Sequence, residues 1–267
     1  MRKVLALMRA SWLEAASYRV KMMFTLLGLI AAALPFFFIA QALQPVMEKS
    51  IEGQGGQYFS FVVVGMMTFA FLRNAIGSLP EEVGNTISSG TLEALLSTPT
   101  RLVTLLSGMV AYSFTWTAIR SLVILSFASV MGAQLIWSRG FIALGVLVLI
   151  ILAHLPIAIL SASLILAFRT SGPLESIVIW ISTILGGVYY PTAVIPSWLG
   201  AISAFVPLTY GLRALRRALL EPHMDVALLV RDLLPMCVAG AVMFLFSVMA
   251  FNWALRYARR AGTLAQY

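Results

Sequence analysis

Arg120 lies deep inside the apolar run from Leu102 to Met131, and it is the most chemically loaded residue of the sequence. A guanidinium at the centre of a bilayer costs at least about 2.5 to 3.5 kcal/mol unless protein or water faces it. Arg120 therefore either lines a path for a transported molecule or is held by backbone and hydroxyl oxygens that stabilise a helix bundle. No acidic residue inside another apolar run offers it a partner. Arg73 lies within about two turns of the end of its own run and reads as a snorkelling side chain. The two histidines, His154 and His223, are far apart and lack an acidic neighbour at ligand spacing, which speaks against a zinc site. His154-Leu155-Pro156 reads instead as a kink. Neither paired carboxylates within the apolar runs nor a G-x-S-x-G elbow is present, so no catalytic residue is assigned. The only lysines are Lys3, Lys21 and Lys49, and none follows the glycine pattern of a P-loop. The chain has no ATP cradle of the usual kind.

The elements that must position Arg120 follow from composition. With 61% hydrophobic and 10% charged residues over 267 positions, the chain is too apolar for a soluble core of its length. Its mean hydropathy of +0.95 belongs to an integral membrane protein. A span needs about 20 residues to cross roughly 30 Å of hydrocarbon, which leaves room for about six spans and no large soluble domain. The net charge of +8 comes from basic residues flanking apolar runs, a pattern that sets orientation at an anionic leaflet and argues against nucleic acid as a partner. Cys237 is the only cysteine, so neither an internal disulfide nor a cysteine metal cluster forms.

Residues 1 to 21 mix Arg2, Lys3, Arg9, Arg19 and Lys21 with Val4, Leu5, Met8, Trp12 and Leu13, which predicts an interfacial amphipathic helix. Spans are expected over roughly Met22 to Leu43, Tyr58 to Leu79 and within Leu102 to Met131. A fourth span ends near Phe168, a fifth apolar run goes from Ser176 to Gly186-Gly187, and a last one covers about Leu233 to Leu255. Basic residues before the first span place the N-terminus in the cytoplasm. Residues 191 to 230 are too broken by Pro191, Pro196, Gly200 and Pro207 for an ordinary span. Over the whole chain, lysines and arginines flanking the spans number ten inside against six outside if this segment stays out, and eleven against five if 193 to 212 crosses as a seventh span. Such a margin does not decide the topology.

Between the second and third spans lies Ser88-Ser89-Gly90-Thr91-Leu92-Glu93-Ala94-Leu95-Leu96-Ser97-Thr98-Pro99. Gly90 or Thr91 can start a short helix, Glu93 sits where the helix dipole favours an anion, and Pro99 stops it after about two turns. Leu92, Leu95 and Leu96 then share one face. A helix this short is marginal alone and needs that face covered. Glu81-Glu82 followed by Gly90-Thr91-Leu92-Glu93, Leu95-Leu96 and Thr98-Pro99 resembles the segment before the third span of ABC-2 type transporter permeases, above all their drug-exporter-like branch. The resemblance implies that the 80 to 101 loop carries a coupling helix that docks on a separate ATPase.

A second stretch agrees with it. Tyr190-Pro191, Ile195-Pro196-Ser197-Trp198-Leu199 and Pro207-Leu208-Thr209-Tyr210-Gly211 followed by Leu215-Arg216 resemble the ABC-2 signature between spans five and six. In that family the segment forms two outer re-entrant helices, which makes Tyr190, Pro191, Pro196, Trp198, Pro207 and Tyr210 candidates for an outer gate. Phe36-Phe37-Phe38 and the cluster Tyr189, Tyr190, Trp198 and Tyr210 either stack on a flat substrate or form an interfacial belt.

Taken together, the expected protein is all-α and polytopic, one transmembrane domain over residues 1 to 267 with both termini cytoplasmic. The resemblance implies a permease subunit that moves a hydrophobic or amphipathic substrate, drug-like or lipid, outward by alternating access. It implies two copies of a separate ABC ATPase, which hold ATP and Mg2+, and a second copy of this chain or a similar one. Export of a lipid-linked polysaccharide is the alternative substrate. A secondary transporter or a membrane enzyme acting on lipid head groups would need intramembrane acids or histidines, which are scarce here.

Overall fold

The computed structural model describes Trp12 and residues 19–88, 102–168 and 174–260, and the elements assigned in them are helical. Among the described residues, five helices are long and apolar enough to cross a membrane. Helix α1 is Arg19–Met47, α2 Tyr58–Ser88, α3 Leu102–Val130 and α4 Gly140–Phe168. After them come the short helices α5 Leu174–Leu185, α6 Ser197–Ser203 and α7 Pro207–Leu220. The chain closes its described part with α8, Val226–Arg260. The long helices alternate in direction, so one end of the bundle carries Ser88, Leu102 and Phe168, and the other carries Gln57, the 131–139 turn and the 186–225 segment.

Helix α2 is the centre of the bundle and packs against α1, α3, α4, α5 and α7. Its Phe61, Val64, Leu72, Ala75 and Ile76 are fully buried. Large apolar side chains point outward from the other helices, with Phe24 at 69% exposure, Phe141 at 90% and Phe246 at 61%. That inversion suits a chain whose solvent is lipid, where helices gain little from hiding apolar area and associate through close packing. One such contact joins α4 and α8: a Cβ on Gly240 would lie 2.7 Å from Ala153 Cα.

Two boundaries differ from the sequence expectation in ways that bear on the site. Helix α2 does not stop at Leu79 but continues through Pro80 to Ser88, which puts Glu81 and Glu82 on the helix and not in the 80 to 101 loop. Pro80 removes one backbone donor. The turns beyond it are held by Val83 and Leu79 packing on Ala162 and Ile165 of α4, and by Thr86 Oγ1 donating to the Glu82 carbonyl at 2.6 Å. The apolar run expected as span five forms only the 12 residues of α5, roughly 18 Å of helix. Gly187, at φ 76°, turns the chain away in a conformation that favours glycine. Residues 191 to 230 do contain two separate helices, α6 and α7, and the start of α8.

Connections at the Gln57 end are tied by glutamine side chains. Gln44 Nε2 donates to the Gly56 carbonyl at 2.8 Å, and its Oε1 accepts from the Tyr58 amide at 2.7 Å. Gln57 Nε2 donates to the Gly132 carbonyl at 2.9 Å, and its Oε1 accepts from the Gln134 amide at 2.8 Å. Each glutamine thus satisfies one donor and one acceptor that a turn leaves unpaired.

Gly240→Leu is expected to force α4 and α8 apart and lower stability by about 1 to 3 kcal/mol. Gly145→Leu is the control, because nothing lies within 4 Å of a Cβ there. Thermal unfolding of the detergent-solubilised protein should show a lower Tm for the first and an unchanged one for the second.

Candidate functional site

A cavity of about 1100 Å³ opens between α1, α2, α3 and α5. Helix α2 contributes Arg73, Asn74, Ser78 and Glu81, α3 contributes Ser113, Thr117 and Arg120, and α5 contributes Glu175. Apolar wall is supplied by Leu29 of α1, Met67, Trp116 and Ile179. The Trp12 ring stands edge-on to the Tyr112 and Trp116 rings, at centroid distances of 5.7 and 6.3 Å.

The register is set by Ser113 Oγ, which donates to Asn74 Oδ1 at 2.5 Å. Arg73 is therefore level with that bond. Arg120, seven residues along α3, lies about 10 Å closer to the Gln57 end, and Glu81, seven residues along α2, about 10 Å closer to the Ser88 end. Glu175 sits in the first turn of α5, its Oε2 3.8 Å from where a Gly77 Cβ would be. The cavity is thus acidic toward the Ser88 end and cationic in its depth. The Asn74 amide nitrogen and the Ser78 hydroxyl are buried and have no hydrogen-bond partner.

Of the residues singled out in the sequence, Arg120 and Glu81 line this cavity, whereas Glu82 is half-buried on α2 outside its lining. Gly90, Thr91, Leu92, Glu93, Leu95, Leu96, Thr98 and Pro99 lie outside the described residues. Arg73 is on the cavity wall, and Glu175, which precedes the fifth apolar run in the sequence, joins it from the first turn of α5. That Glu81 and Glu175 share a cavity with the guanidinium groups is not visible along the sequence, because they lie past the apolar run of α2 and at the head of α5. His154 is buried in an uninterrupted α4, with Nδ1 2.7 Å from the Ile150 carbonyl oxygen.

The candidate gate residues cluster at the other end of the molecule. Pro191 precedes the 3-10 turn Thr192–Val194, Pro196 precedes α6, and Pro207 opens α7. At a helix start the missing proline N–H leaves nothing unsatisfied. Tyr190 and Tyr210 donate their hydroxyls to backbone carbonyls of the same segment, Ile184 and Ala204 respectively. Trp198 is 65% exposed. Tyr189 stacks on Phe36 of α1 at a centroid distance of 6.1 Å.

Residues 2–220 match the family described as ABC-2 type transporter. The chain belongs to that family. It is thus an integral membrane chain and the permease component of an ABC transporter, of a kind that works with an ABC ATPase. A search of curated proteins finds no match.

The ABC-2 chain holds a second unusual arginine, beneath its gate segment. Arg216 of α7 is 2% exposed. Its Nη2 donates to the Val188 carbonyl at 3.0 Å and, with Nε, to the Phe61 carbonyl at 3.2 and 3.3 Å. Nη1 reaches Gln54 Oε1 at 3.4 Å, and the guanidinium lies over the Phe61 ring, 3.3 Å from its centroid. Gly65 makes room for this: a Cβ there would be 2.0 Å from the Val188 carbonyl oxygen and 2.8 Å from Arg216 Nη2. Among the described residues the ion pairs belong to the neighbouring Arg217, with Asp232 at 2.8 Å and Glu221 at 3.8 Å. Burial pushes the Glu221 carboxyl above the usual range, and Arg217 pulls it back. The sequence did carry a signal for Arg216: Leu208, Leu212, Leu215 and Leu219 form the buried stripe of α7, and Arg216 falls four residues after Leu212.

Arg216→Ala leaves the buried Val188 carbonyl without its donor, worth roughly 1 to 3 kcal/mol, and removes the cation that ties α7 to the Phe61 carbonyl of α2. The variant is expected to melt well below the parent in detergent. Arg217→Ala, which breaks a partly exposed pair, should lower Tm much less.

Proposed function

We infer that the protein is the membrane-spanning half of an ATP-driven exporter, and that a separate ATPase subunit docks on the loop between α2 and α3. The observation that carries the reading is the match of residues 2–220 to the ABC-2 family. The Ser88 end faces the cytoplasm in this reading, with both termini on that side, and α6 and α7 form the outer re-entrant segment. Helix α5 with the turn that follows it serves as the fifth of six spans. Two copies of the chain, or this chain and a similar one, pair with two ATPase subunits.

Substrate enters the cavity lined by Arg120 and leaves between the membrane halves, near Tyr190, Pro191, Pro196, Trp198, Pro207 and Tyr210. ATP and Mg2+ stay on the partner. Closure of the ATPase pair pushes the Gly90 to Pro99 segment, through Thr91, Leu92, Glu93, Leu95, Leu96 and Thr98, and the push tilts α2 and α3. Continuity of α2 through Glu81 and Glu82 to Ser88 supports this transmission, because a helix carries displacement along its axis.

The coupling role is tested by Leu95→Asp. Losing one buried leucine costs about 2 to 5 kcal/mol in a packed core, and an interface concentrates its energy in a few such anchors. An unpaired charge adds to that loss. Co-purification with the ATPase should be abolished and coupled ATP hydrolysis lost, while Leu228→Asp at the opposite end should retain both. Normal turnover with Leu95→Asp would refute the coupling assignment.

Topology is tested by single cysteines in a background without Cys237. Ser197→Cys is expected to react with an impermeant thiol reagent from outside, and Gly262→Cys is expected to be protected. Outside labelling of Gly262→Cys would establish a seven-span chain.

A further inference from the structure

The cavity that the export reading uses contains two guanidinium groups whose need for a counter-charge the described protein groups leave open. Arg73 and Arg120 project from α2 and α3 within about two helical turns of each other. Among the described residues neither forms an ion pair within 4 Å. Glu81 and Glu175 share the cavity but sit toward the Ser88 end, Glu81 about 20 Å along the helix axes from Arg120. Beside Arg73, the Asn74 amide nitrogen and Ser78 hydroxyl are buried donors with nothing to donate to, while Asn74 Oδ1 accepts from Ser113. Two cations and two unused neutral donors beside Met67 and Trp116 are the complement of an oxyanion attached to an apolar body.

We propose that this cavity binds an amphipathic organic anion, whose oxyanion head lies between Arg73 and Arg120 and whose apolar part lies against Met67 and Trp116. This substrate class rests on the export reading for its purpose, but binding itself does not require ATP. Guanidinium groups suit such a head because their planar donors match carboxylate, sulfate and phosphate oxygens in pairs. The carboxylates nearer the Ser88 end leave an anion favoured only in the depth, so the head passes them to reach Arg73 first and Arg120 beyond it. Of amphipathic substrates, the geometry selects the negatively charged ones over permanent cations.

The test is calorimetric titration of the permease and its ATPase, together in nanodiscs, with dodecyl phosphate below its critical micelle concentration. Empty discs correct for partition into lipid. Dodecyltrimethylammonium and inorganic phosphate are the comparison probes. Saturable binding of dodecyl phosphate is expected, at least about tenfold tighter than either comparison. Arg73→Gln and Arg120→Gln should each weaken it about tenfold or more, and Arg120→Lys should recover part of the loss. Equal binding of the cationic probe would overturn the proposal using the parent protein alone, whether or not the variants assemble. Inorganic phosphate binding as tightly as its dodecyl ester would overturn the amphiphile assignment, and unchanged affinity in both glutamine variants would overturn the site. ATP hydrolysis in the same discs is read separately. Coupled hydrolysis without preference for the anion removes the ligand class and leaves the export reading standing, and anion-selective binding without coupling does the reverse.

Discussion

A backbone carbonyl or amide that a turn leaves unpaired needs a partner, and the architecture at the Gln57 end follows from that constraint. Helices satisfy themselves, but the turns that join them do not. Gln44 and Gln57 bridge two such turns with both ends of their amides. Arg139 does the same for the end of α7, donating to the Glu221 and Pro222 carbonyls at 2.6 Å. Arg216 takes the carbonyls of Phe61 and Val188 and so pins α7 to α2 and to the turn after α5. The short α7 is held by its buried leucine stripe and by one cation that reaches carbonyls of two other elements.

The arginines divide by environment. Arg216 is enclosed, with oxygen acceptors and an aromatic face supplied by the protein, and its place is structural. Arg217 has carboxylates. Arg73 and Arg120 stand on the wall of a cavity that also presents unpaired neutral donors. A cation held by backbone carbonyls fixes a fold, whereas one facing open volume is available to a ligand, and the same residue type serves both ends of the molecule.

Much was legible before any coordinates. Five of the expected spans lie within long helices, although α1, α2 and α8 extend beyond the predicted ends. Apolar length is a property of the segment alone, so hydropathy finds it. Terminal positions depend on neighbours: α2 persists past Pro80 because Val83 and Leu79 find Ala162 and Ile165, and no pattern within 80 to 88 contains that fact. Helix α5 is short for the converse reason, since its apolar run turns at Gly187 to meet the gate segment, where Tyr190 bonds back to Ile184.

The site was half legible. An arginine inside an apolar run announces itself by its transfer cost, so Arg120 stood out from composition and position. Its surroundings did not, because Asn74, Ser78, Glu175 and Arg73 are separated from it by 42 to 55 positions and meet only when α2, α3 and α5 pack. Arg216 stands in the motif between spans five and six, but its place as the buried staple is not legible there, since a helix with three arginines looks polar until the face it presents to Phe61 is known. Residue type and run length therefore determined that the chain is a helical membrane protein and which charges are costly. Only the tertiary structure decided which of those charges the protein satisfies and which it leaves facing a cavity, because satisfaction depends on distances between atoms remote in sequence.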